Sequence, residues 1–203
     1  MRFRVIRPAV VMLGVFLLLG AAACGDDDDD NVPTDSPAAT ATTVESSDTP
    51  VATPTEEPFS GARDPVEKEA PVVPPVAIQT GTRYSGHSGY DRVVFDFTEN
   101  APGYLIQYVD PPIKADPSDM DVEIDGQAFI QIRFLGAQAH DDSGNTTVDE
   151  LEIFPGLTSI LEIERTGDFE AQLTWVLGLP GELDFRVSDL ADPTRVVIDV
   201  GHP

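Results

Sequence analysis

Apolar and polar positions alternate with a period of two through much of the second half of the chain. In Asp91-Arg92-Val93-Val94-Phe95-Asp96-Phe97, the residues Val93, Phe95 and Phe97 fall on one face and Arg92, Val94 and Asp96 on the other, because neighbours along a strand point to opposite faces. The pattern returns near the C-terminus as Thr194-Arg195-Val196-Val197-Ile198-Asp199-Val200. The repetition suggests a duplicated unit. An antiparallel pairing that sets Val94 opposite Val197 also sets Arg92 opposite Asp199 and Asp96 opposite Arg195. The other face then joins Val93, Phe95 and Phe97 to Val196, Ile198 and Val200 as one apolar surface. A parallel pairing would put like charges side by side.

Further short apolar runs, bounded by Gly, Pro, Asp and Asn, predict strands over residues 76–82, 90–98, 104–109, 121–124, 129–135, 151–153, 159–164, 171–177, 183–187 and 195–200. Asp125-Gly126 reads as the hairpin turn between two of them. Asp189-Leu190-Ala191 reads as a short turn of helix. Trp175 shares a face with Leu173 and Leu177, which makes it a core residue. No segment keeps a helical period for three turns. Many short strands with frequent turn signals predict an all-β, antiparallel β-sandwich over residues 76–203.

The first part of the chain has a different pattern. Arg2, Arg4 and Arg7 precede an apolar run from Ala9 to Gly20, and Ala21-Ala22-Ala23-Cys24 follows. Residues 1–23 read as a signal peptide, and the small residues before Cys24 resemble a bacterial lipobox. Cys24 is then the acylated N-terminus, holding the protein on the extracytoplasmic face of a cell membrane. The apolar run is shorter than the ~20 residues a spanning helix needs. Residues 24–75 open on five aspartates, Asp26 to Asp30, and continue in Pro, Thr, Ser, Ala and Glu. Such a composition buries too little apolar surface to fold and predicts a disordered, extended tether.

Charge narrows the function classes. The chain holds 36 acidic and 12 basic residues, a formal net charge of -24. That balance argues against nucleic acid, whose phosphates need a basic surface. One cysteine allows no internal disulfide. Three histidines, His87, His140 and His202, fit no zinc-hydrolase spacing, and Gly86-His87-Ser88-Gly89 reads as a glycine-rich loop rather than a nucleophile elbow. The expectation is therefore a protein that is not an enzyme and needs no cofactor. Asp116, Asp119, Asp121, Glu123 and Asp125 crowd one segment, yet match no calcium loop and read as a solvated face.

Five pieces of the chain together carry a family resemblance. They are His87-Ser88-Gly89-Tyr90-Asp91-Arg92-Val93-Val94-Phe95-Asp96-Phe97, Pro102-Gly103-Tyr104, His140-Asp141-Asp142-Ser143-Gly144, Gly167-Asp168-Phe169-Glu170, and Pro193 through Val200. Taken together they resemble the AMIN-like domain of bacterial cell-surface lipoproteins. The resemblance implies a sandwich of two pseudo-symmetric sheets and recognition of peptidoglycan or a related cell-wall glycan, with an envelope protein as the alternative partner. Sugar sites combine aromatic faces with convergent polar groups. Tyr84, His87, Tyr90, Asp91 and Arg92 around the glycine-rich loop are the first candidates, and His140 with Asp141 the second.

Overall fold

A computed structural model describes residues 59–70, 74–98 and 100–203. The signal segment, Cys24 and the tether as far as residue 58 lie outside the described residues. The described part is all strand, turn and loop. Its strands are β1 (Val66–Lys68), β2 (Ala77–His87), β3 (Tyr90–Phe97), β4 (Gly103–Val109), β5 (Ile113–Lys114), β6 (Asp121–Val122), β7 (Ala128–Leu135), β8 (Ala137–Gln138), β9 (Glu152–Ile153), β10 (Glu162–Phe169), β11 (Gln172–Leu179), β12 (Phe185–Leu190) and β13 (Arg195–Gly201).

Two sheets form the sandwich. One has the order β1-β4-β7-β11-β10-β9, the other β12-β13-β3-β2-β8. Every neighbouring pair in them is antiparallel except β2 with β8. The alternation read from the sequence sets the layers. Val93, Phe95, Val196, Ile198 and Val200 are fully buried and pack against Ile106, Ile130, Ile132, Phe134, Leu173, Trp175 and Leu177 of the facing sheet. The edge of Phe134 meets Phe95 at 5.1 Å and Phe97 at 5.0 Å between ring centroids. Trp175 lies in this core as expected, and its indole N–H donates to the Gln79 side chain at 2.9 Å. Gln79, also fully buried, in turn donates to the Thr82 hydroxyl at 2.7 Å. Each buried polar group in that chain therefore finds a partner.

The register expected for the repeated strands is found. β13 runs antiparallel to β3 with Val197 opposite Val94, Asp199 opposite Arg92 and Arg195 opposite Asp96. Other expectations are corrected. The fold begins earlier than residue 76. Ala62 exchanges backbone hydrogen bonds with Phe185 at 3.0 and 2.8 Å, and β1 closes one edge of the larger sheet against β4. Three residues, Val66 to Lys68, are too few to show a period, and they sit among prolines and glutamates. Asp125-Gly126 makes no hairpin. β6 pairs with β5 instead, and the Asp125 amide donates to the Glu162 carboxylate at 2.6 Å. Gly126 passes so close to β11 that a Cβ there would lie 2.8 Å from the Leu179 nitrogen. Asp189 and Leu190 end strand β12 rather than turn a helix, and residues 191–194 make the turn into β13.

The β5–β6 arm lies over the outer face of the six-stranded sheet. Ile113, Phe129 and Val176 form a small second core there, with Val109, Val122 and Ile124 around it.

Candidate functional site

The outer face of the five-stranded sheet is built by register. Across one row stand Arg186, Asp199, Arg92 and Ser85; across the next, Ser188, Val197, Val94 and Arg83; across a third, Leu190, Arg195 and Asp96. Four arginines thus share one sheet face with two aspartates, with Glu150 at the rim of the open concavity of about 700 Å³ above it. The balance is positive in a chain whose net charge is -24.

Asp199 is the hub. It is 2 % exposed and accepts from Arg92 Nε at 2.6 Å and Nη2 at 2.9 Å, and from Arg186 at 2.8 Å. Burial alone would push its carboxyl up. The hydrogen bonds from Arg92 and Arg186 outweigh that and hold it below the usual carboxylate range. In return, its hydrogen bond raises the Arg92 pKa against the effect of burial. The pairing expected between Asp96 and Arg195 does not form. Arg83 of β2 takes both Asp96 oxygens, at 2.7 and 2.6 Å, and Arg195 donates to the Pro193 carbonyl at 3.1 Å. β3 lies between two neighbours, and the nearer fork wins.

Aromatic rings stand on the same face beside the hub. Tyr90 stacks on His87 with centroids 4.7 Å apart and planes 10° apart. The guanidinium of Arg186 lies 5.0 Å from the Tyr90 centroid and 4.8 Å from that of Phe59, and that of Arg92 lies 5.4 Å from Tyr90. Both are cation–π distances. Phe59 can approach because residue 201 is glycine: a Cβ there would meet the Phe59 ring at 2.8 Å. The result is a run of planar groups, Phe59, Arg186, Tyr90 and His87, beside arginines fixed by one carboxylate.

The candidates from the sequence divide. His87, Tyr90 and Arg92 come together here. Tyr84 reaches the rim of the concavity, exposed at 41 %, although it pairs with core-facing Val93 and so leaves the strand on the other side. Asp91 is no surface group. It is 1 % exposed, accepts the amides of Ser159 and Ile160, and meets His202 Nε2 at 3.0 Å. It ties β3 to the preceding loop of β10 and to the C-terminal residues. His140 and Asp141 lie on the loop after β8 and line no part of the arginine face. His140 Nδ1 meets Asp168 at 3.0 Å. Asp141 turns its carboxylate inward on its own loop, accepting from the Asn145 side chain at 2.9 Å and the amides of Asn145 and Ser143 at 2.9 and 2.8 Å, which hold its pKa down.

Sequence reading missed Arg186, Arg83 and Phe59. Arg186 was legible: a hairpin turning at residues 191–194 sets it opposite Asp199. Phe59 was not, since it stands alone among tether-like residues. Among the described residues no group of three or more His, Cys, Asp or Glu is placed to hold a metal ion.

No curated protein and no solved structure matches the chain. Residues 77–202, from the first residue of β2 to the histidine that closes on Asp91, match the model of the AMIN-like domain. The chain therefore belongs to the AMIN-like family, whose domains serve in the extracytoplasmic cell envelope.

Proposed function

We propose that this protein is a lipid-anchored envelope protein, held at Cys24 on the extracytoplasmic face of the cell membrane, whose sandwich binds cell-wall material without chemistry. The observation that carries the reading is the arginine–aromatic face: Phe59, Tyr90 and His87 packed with Arg186 and Arg92, the two arginines held by buried Asp199. Ring faces suit the C–H faces of sugars, and arginines with free N–H groups suit the carboxylates of wall peptides and acidic sugars. A surface already stacked and ion-paired loses little freedom on binding. Family membership supports the envelope location and a link to peptidoglycan.

The test is co-sedimentation of the detergent-solubilised full chain with purified peptidoglycan sacculi. Binding should fall at least tenfold with His87→Ala combined with Arg186→Gln. Unchanged binding in that variant would move the site elsewhere. Cys24→Ala should release the protein from membranes, and continued lipid labelling of that variant would refute the anchor.

An envelope protein is the second reading, favoured by the edge of β2. That strand pairs with β8 only at Ala77 and Ile78, and residues 83–87 are exposed along the rest of the edge. An extended segment of a partner could add there as a strand. Binding of a purified envelope protein with no binding to sacculi would favour it.

A further inference from the structure

The six-stranded sheet carries a different arginine. Arg133 of β7 lies opposite Thr174 of β11, so both side chains leave the sheet on the same side. Gln131 and Gln172 leave on that side too. The loop between β5 and β6 folds over them: the Asp116 amide donates to the Thr166 carbonyl at 2.8 Å, and Asp116 bridges to Gly167. An open concavity of about 270 Å³ results, floored by Gln131, Arg133, Gln172 and Thr174 and walled by the loop with Asp116 and Asp119.

The groups in this concavity are unevenly engaged. Lys114, the other cation at its rim, is held by Asp121 at 2.7 Å. Asp116 accepts from the Gln172 amide at 3.3 Å. Thr174 is 4 % exposed, and its hydroxyl has no partner within the protein. The Nε–H of Arg133 is buried and also lacks one. Leaving such a buried group unsatisfied costs on the order of 1–3 kcal/mol. The facing pair therefore offers donors from two adjacent strands without an acceptor between them. A carboxylate suits that gap: its two oxygens match the flat fork of a guanidinium, with a lone pair left for a hydroxyl. Asp116 and Asp119 on the wall oppose a multiply charged anion such as phosphate. The volume admits an end group and not an extended chain.

We infer that the Arg133–Thr174 concavity binds a free carboxylate on a small group, either an amino acid or the C-terminal residue of a peptide. The site lies on the opposite sheet from the arginine–aromatic face and does not depend on the function proposed for that face.

The experiment uses the detergent-solubilised full chain labelled with [¹⁵N]arginine, the Arg133 Nε–H signal being assigned by its loss in Arg133→Lys. Glycine, triglycine and triglycine amide are the probes. The Arg133 signal should move saturably with glycine or triglycine at millimolar concentration and stay still with the amide; the tighter of the two carboxylates identifies a free amino acid or a chain end as the ligand. Thr174→Val, which keeps the side-chain shape, should weaken binding about tenfold. The Arg186→Gln variant should bind glycine and triglycine as the parent does, which separates this site from the sheet face opposite. No saturable movement with either carboxylate, or equal movement with the amide, would overturn the assignment.

Discussion

The two outer faces of the sandwich handle buried charge in opposite ways. On the five-stranded sheet, Asp199 gathers Arg92 and Arg186, so a carboxylate that is 2 % exposed keeps its charge. On the six-stranded sheet, Arg133 meets Thr174 and no carboxylate, and two glutamates meet each other. Glu162 is 2 % exposed, and Glu164 lies on the same side of the same strand. Burial comes first and the Glu162 charge next in pushing the Glu164 pKa up to about 7, so Glu164 keeps a proton that it shares with its neighbour. One face solves the cost of burial with a counter-ion, the other with a proton and with an arginine left unspent. The first arrangement makes a stiff positive surface, the second a surface responsive to pH and to an incoming acceptor.

Removing the hub should have the largest effect. Asp199→Ala strands two arginines over the core, and the domain should lose about 2–4 kcal/mol in denaturant unfolding, discounted from the cost of a fully buried pair because both guanidinium groups can turn towards water. Arg133→Met on the other face should leave stability unchanged or raise it, by up to about 1–3 kcal/mol, since no ion pair is broken and a buried donor without a partner is removed. A comparable loss in both variants would end the distinction between the faces.

The pH dependence should come next. A raised carboxyl pKa means that the folded state binds the proton more tightly than the unfolded state. The stabilisation from Glu164 is therefore complete below its ordinary value near 4.5 and is lost as pH rises through about 7. Asp199, held low, has the opposite sign: its contribution is complete above the usual carboxylate range and fails as acid protonates it. Melting curves should show stability falling between pH 5 and pH 8, with a slope of up to about 1.4 kcal/mol per pH unit. Glu164→Gln should flatten that slope while leaving the acid limb. A slope unchanged by the substitution would refute the shared proton.

The smallest effect is expected at Arg83. Its pair with Asp96 is bidentate, but Arg83 is largely exposed. Arg83→Gln should cost about 0.2–1 kcal/mol, and less in high salt. A larger loss would mean that Asp96, like Asp199, is a hub.

The same contrast shows what the sequence could reveal. Period-two alternation exposed the core of both sheets, and the repeated Arg-Val-Val element disclosed the β3–β13 register because a slip by one residue would turn its apolar set to water. The Arg92–Asp199 contact followed from that register. Its companion failed at Asp96 because a central strand has a neighbour on each side, and the repeat describes only one. Asp91 looked like a surface polar group beside a loop, but the loop between β9 and β10 folds over it and draws its carboxylate inward. Contacts that depend on an arm folding back, such as the loop of β5–β6 above Arg133 or Phe59 above Gly201, leave no periodic trace in the chain.

The central claim is that the arginine–aromatic face holds cell-wall material. Its most direct test is co-sedimentation of the full chain with purified sacculi, comparing the parent with Arg186→Gln, which removes the guanidinium packed against both Phe59 and Tyr90 and leaves Arg92 to hold Asp199. The account predicts that the parent pellets with sacculi and that the variant, folded by circular dichroism, stays mostly in the supernatant. Parent protein that remains in the supernatant across salt and calcium concentrations would contradict it.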